Sequence, residues 1–134
     1  MRTLTPLAAL LAAVALGGCA ATQPNASAGD FKGAESDVAQ VIDDLKGSRD
    51  PEEVCSRIFA DALARSLAAA GRDCAAEVDA MLQDVSSTDL QVRDVTISGS
   101  TARAVVRQGD KGKTATFELA RDGSSWQITS IGAS

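Results

Sequence analysis

The chain has no histidine and no tyrosine, and only one tryptophan, three phenylalanines and three cysteines in 134 residues. The missing imidazole removes the commonest general base and the commonest nitrogen ligand of zinc. The missing phenol removes a frequent donor to a developing oxyanion. Aromatic residues make up 3% of the chain and the formal net charge is -5, so there is no basic stripe interleaved with aromatics to neutralise phosphates and stack bases. Nucleic acid is excluded as a partner on those grounds. No apolar run reaches the roughly 18 residues that a membrane-spanning helix needs. Only scattered carboxylates are left as hard-cation ligands, and neither a metal nor a cofactor is expected.

What is present begins with an export signal. Arg2 supplies a short positive start, residues 7–16 form an apolar stretch too short to span a bilayer comfortably, and Gly17 and Gly18 are the small residues that a signal peptidase accepts. Cys19 follows directly. The four residues Leu16-Gly17-Gly18-Cys19 resemble the lipobox of bacterial lipoproteins. That resemblance implies a diacylglycerol on the Cys19 thiol, cleavage before it, and palmitate-type acyl chains holding the protein on the extracytoplasmic side of the cell membrane. The alternative is an ordinary cleaved secretory signal, and in either case the domain is exported. The expected division is a signal peptide over residues 1–18, a lipidated tether over 19–29 and one domain over 30–134, a length that suits a single core.

Cys55 and Cys74 remain after Cys19 is assigned. In an exported chain two such cysteines are read first as a disulfide, with two free buried thiols as the alternative. Closing a loop of about twenty residues adds roughly 3 kcal/mol in the chain-entropy model. Charge is uneven: residues 30–91 carry a large excess of acids, whereas 92–134 carry slightly more bases than acids.

Residues 20–29 have no apolar period and read as a flexible tether with a reach of roughly 15 to 20 Å. The sequon Asn25-Ala26-Ser27 is too short a match to carry weight. From Phe31 the apolar residues Ala34, Val38, Val41, Ile42 and Leu45 follow a helical period, with Gly47 as the stop. Asp43 and Asp44 lie off that stripe on a solvated face. Asp50-Pro51-Glu52-Glu53 announces a second helix, with Asp50 as N-cap, Pro51 in the first turn and Glu53 completing a capping box. Its apolar stripe runs through Val54, Ile58, Phe59, Leu63 and Leu67 to Ala70, before Gly71. On one straight helix Cys55 would lie about 22 Å from Ala70, and four further residues reach back at most about 14 Å. A bridge therefore requires a break, expected at Ala60-Asp61 with Asp61 capping the second piece. A last helix is expected over about 73–83.

Beyond Val85 the period changes to two. Leu90 and Val92 alternate, then Val95 and Ile97 on the other parity, which predicts a bulge near Arg93-Asp94. Strands through Ala102, Ala104 and Val106, through Ala115, Phe117 and Leu119, and through Trp126, Ile128 and Ser130 follow, separated by Gly-containing turns. The expected fold class is α+β, with N-terminal helices packed on a curved four-stranded antiparallel sheet.

Helices followed by an antiparallel sheet resemble the nuclear transport factor 2-like, or cystatin-like, cone. The chain is similar to a small exported bacterial subgroup of that family through its lipobox and tether, its cysteine pair, Ile97-Ser98-Gly99-Ser100-Thr101-Ala102, and Asp122-Gly123-Ser124-Ser125-Trp126-Gln127-Ile128. The likeness covers nearly all of residues 31–131. It departs from larger members in lacking an early hairpin, which shortens the cone. The resemblance implies a ligand cavity, with Phe59, Phe117, Leu119 and Trp126 as its expected lining. Enzymes of this family place an Asp or His base in the cone opposite Tyr or acid donors. Here Asp61 and Asp94 have no such donor opposite them, and capping and bulge roles account for both. Gly112-Lys113-Thr114 echoes a phosphate-binding loop but stands before a strand. No catalytic residues are assigned. The expectation is a non-enzymatic envelope module, monomeric or weakly dimeric, binding a small apolar ligand or an envelope protein. Its alternatives are an isomerase-like or cyclase-like enzyme of the same fold, or a purely structural lipoprotein.

Overall fold

The computed structural model describes residues 20–26, 28–84, 90–109 and 113–133. The expected signal peptide and Cys19 lie outside the described residues.

Helix α1 spans Ala34–Gly47 and buries Val38, Ala39, Ile42 and Leu45 on one stripe. It opens after Gly33, whose φ of 59° a side chain rarely adopts, and no side chain caps it. Gly47 is its last residue, and Ser48 closes it by donating its N–H to the Asp44 and Leu45 carbonyls. Helix α2, Pro51–Glu53, starts as its sequence dictates: the Asp50 carboxylate accepts the Glu52 N–H at 3.0 Å and the Glu53 N–H at 3.4 Å. The expected capping box is incomplete, because the Glu53 carboxylate pairs with Arg57 and the Asp50 N–H donates to Ser48 Oγ instead.

The long apolar stripe after Pro51 is interrupted. Val54–Ile58 forms a π-helical turn, then Phe59 and Ala60 adopt extended backbone before helix α3, Asp61–Ala69. The break falls beside the expected position, but Ala60 occupies the cap and makes no side-chain bond, so Asp61 is a first-turn residue and not the cap. Gly71, at φ 73°, ends α3, with the Arg72 N–H donating to the Leu67 carbonyl at 2.9 Å. Helix α4, Cys74–Asp84, is capped by Asp73, which accepts the Ala76 N–H at 2.9 Å. The bend brings Cys55 and Cys74 to a Cα separation of 6.2 Å, and they form a disulfide.

Strands β2 (Leu90–Ser98), β3 (Thr101–Gln108), β4 (Lys113–Asp122) and β5 (Ser125–Ala133) form the expected antiparallel meander. The register slips between Val92 and Asp94, so Leu90, Val92 and Val95 are all buried and Ile97 is partly so. A second slip was not anticipated. Leu119 pairs with Ile128 while Glu118 pairs with Ser130, leaving Thr129 as an extra residue whose hydroxyl donates to the Glu118 carbonyl. This reverses parity, so Ile131 and not Ser130 stands opposite Phe117.

The segment expected as a flexible tether is instead largely a strand. Residues Ala20–Ala26 form strand β1, antiparallel to β2, giving a five-stranded sheet in the order β1-β2-β3-β4-β5. A segment without apolar period still has backbone donors and acceptors, and the exposed edge of β2 offers them partners.

The core joins the α1 stripe, Val54, Ile58, Phe59 and Val78 to the alternating inward residues of β2 to β5. Small Ala102 and Ala104 on β3 stand beside Leu119 and Phe117 on β4, a large-against-small fit across the ladder. Every buried residue among those described is apolar.

Candidate functional site

The four residues expected to line one cavity are packed in the core. Phe117 and Leu119 are 1% exposed, Phe59 4% and Trp126 6%. They do not converge on a common space: Trp126 borders one depression, Phe59 a second and Phe117 a third of only about 30 Å³. None of these three depressions is lined by more than one of the four residues expected to share a cavity. The physical reason is that α1 and the chain around Phe59 fill the volume over the short sheet with Ile42, Leu45, Val54 and Ile58.

Among the surface depressions of the described residues, two of the larger ones border the helices. The first, about 480 Å³, is polar and lies between α1, the π-helical turn and the β4–β5 turn. Asp37, Gln40 and Asp44 line one side, Ser56 and Arg57 another, and Ser124, Trp126 and Gln127 complete it. Gln40 donates to Asp44 at 2.9 Å and Gln127 donates to the Arg57 carbonyl at 3.3 Å, so part of its polar lining is satisfied internally. Trp126 carries the Arg121 guanidinium 5.9 Å from its ring centroid.

The second depression, about 300 Å³, is largely apolar. Phe59, Leu63, Leu67, Val78, Met81 and Ile131 form it, with Arg72 and Glu77 at its border. Its geometry follows from the two irregularities that the sequence pattern conceals. The break at Phe59-Ala60 ties the chain to the edge of β5, where the Ala60 N–H donates to the Ile128 carbonyl at 2.8 Å, and this sets α3 beside the strand. The extra Thr129 then turns Ile131 to the same side. Helix α3 buries none of its residues, so Leu63 and Leu67 are only partly covered. Ile131, 37% exposed, is the exposed large hydrophobic among the described residues. The sequence pattern places Leu63 and Leu67 on the apolar stripe of their helix and, ending the last strand's inward series at Ser130, leaves Ile131 unassigned. A parity count that allowed a bulge at Thr129 would have found it.

At the border Arg72 Nε donates to Glu77 Oε1 at 2.8 Å and its Nη2 contacts Oε2, a two-pronged pair. The hydrogen bond from Arg72 holds the Glu77 carboxyl below its usual range, and the same bond raises Arg72. Asp61 lies exposed in the first turn of α3, and Asp94 at the β2 bulge stands 3.5 Å from the Thr96 hydroxyl. Neither enters the core. Among the described residues no group of three or more potential metal ligands occurs, and no helix is long and apolar enough to cross a membrane.

Comparison with protein-family models, with curated proteins and with solved structures gives no match for this chain.

Proposed function

We propose that the chain is an exported lipoprotein, held on the extracytoplasmic face of a membrane through acylated Cys19, whose nuclear transport factor 2-like domain is a binding module and not an enzyme. Its binding site on this reading is the open apolar groove between α3, α4 and β5. The observation that carries it is Ile131: an aliphatic side chain turned to the helix side by a bulge, yet left 37% exposed beside half-covered Leu63 and Leu67. A groove of about 300 Å³ is at the small end of the range for ligand pockets, and suits one short apolar ligand or one or two side chains of an envelope protein. The Cys55–Cys74 disulfide supports the exported compartment. The lipobox residues Leu16 to Cys19 support the anchor.

Native mass spectrometry of the membrane-extracted protein tests both parts. An acyl mass on Cys19 and a retained apolar molecule are the expected results. The groove itself is tested with the apolar fluorophore anilinonaphthalene sulfonate. Ile131→Asp should weaken its binding by about tenfold, a change of about 1.4 kcal/mol, with the fold retained by circular dichroism. Unchanged binding in the variant would remove the groove from the proposal.

A further inference from the structure

The chain that follows Cys19 is held from its first described residue. Ala20 pairs with Thr96 and Ala21 with Val95 on β2. Thr96 stands two residues before Ser98, which closes the β2–β3 turn opposite Thr101. The β4–β5 turn, where Asp122 faces Ser125, lies at the same end of the sheet, and the Arg121 N–H donates to the Ser100 carbonyl at 2.8 Å to join the two turns. Cys19 is one peptide from Ala20, about 3.8 Å between Cα atoms.

We propose that this end of the sheet, the paired turns at residues 98–101 and 122–125, rests directly on phospholipid headgroups, so that the domain is docked in one orientation. The inference rests on the acylation of Cys19 proposed above. A free segment of ten residues would let the domain wander roughly 15 to 20 Å from its anchor. With Ala20 to Thr22 paired to β2, ahead of an irregularity before Ala26, the length between lipid and fold falls to a single peptide.

The chemistry of this end fits contact with zwitterionic headgroups of no net charge. Ser98, Ser100, Thr101, Ser124 and Ser125 are all exposed; the Thr101 hydroxyl donates to the Ser98 carbonyl at 3.0 Å, and the serine hydroxyls can donate to phosphate and glycerol oxygens. The charges nearby nearly cancel: exposed Arg121 neighbours Asp122, and Arg103 pairs with Glu118 at 3.0 Å. Asp37 and Asp44 on α1 share a depression with Ser124 and Ser125, which disfavours a strongly anionic surface. Docking is therefore set by the anchor and by hydroxyls, with little dependence on salt.

The experiment is amide hydrogen exchange on the full lipidated protein in phosphatidylethanolamine–phosphatidylcholine vesicles. Its comparison is a variant with about ten Gly and Ser residues inserted between Cys19 and Ala20, enough to restore a free tether. Exchange at residues 98–101 and 121–125 should be slower in the parent than in the variant by about tenfold, with residues 104–108 equal in both. The amides of β1 that bond β2 should be protected in both proteins. Equal exchange at the two turns, or free exchange throughout residues 20–26, overturns the docked orientation while leaving the lipid anchor standing. Absence of an acyl mass on Cys19, or failure to sediment with vesicles, overturns the anchor and the orientation with it.

Discussion

Phe117 faces Ala104 and Ile131 across its two ladders and is closed over by Leu45 and its neighbours in the core. Truncating it leaves a void that the surrounding sheet cannot close. Phe117→Ala should therefore cost about 3 to 5 kcal/mol, seen as a lower urea midpoint with an unchanged slope. Arg72 and Glu77 make the opposite case, since both face solvent and the pair's contribution is small. Its dependence on pH is nonetheless defined. Glu77 titrates lower in the folded chain than in the unfolded one, so the stabilisation is complete above the ordinary carboxylate range and is lost as pH falls through the lowered value. Urea titrations should show Glu77→Gln less stable than the parent at about pH 7, with the difference vanishing as pH falls below the lowered value.

At the scale of elements, the disulfide and the helix break depend on each other. A continuous helix from Pro51 to Ala70 would hold Cys55 and Cys74 too far apart, and the chain meets the constraint by a π-helical turn followed by two extended residues on the edge of β5. That much was legible from spacing alone, because rise per residue and disulfide reach are both fixed lengths. The cap was not legible, because Ala60 offers its backbone to Ile128 and leaves Asp61 no capping role. The double substitution Cys55→Ser with Cys74→Ser should lower stability by about 3 kcal/mol, read from the urea midpoint of oxidised parent and variant. The bulges show a similar contrast. The slip after Val92 is written in the parity of Leu90, Val92, Val95 and Ile97, all apolar. The slip at Thr129 is marked more faintly, because only Ile131 and the small Ala133 follow on the new parity.

For the whole molecule, the sheet has two edges that are treated differently. β5 is met at Ile128 by the bridge to Phe59 and the Ala60 N–H, and it is bulged at Thr129, both of which discourage pairing between copies. The outer face carries Arg103, Arg107, Thr116 and Glu118, with Arg103 and Glu118 paired. Sedimentation equilibrium at about 10 µM should accordingly report a monomer, and a stable dimer with a micromolar constant would show that one of these faces is an interface.

The opposite edge, β2, is covered by β1, and nothing in the composition of residues 20–26 announced this. Amphipathic periods, cap residues and glycine turns are local signals, and through them the residues alone determined the helices, the four-stranded meander, the first bulge and the broken helix. Pairing of β1, the closure of the core around Phe59, Phe117, Leu119 and Trp126, and the exposure of Ile131 were decided by tertiary structure. Each depends on which unpaired edge or unfilled volume lies nearby once the chain has collapsed, and that is a property of neighbours distant in sequence.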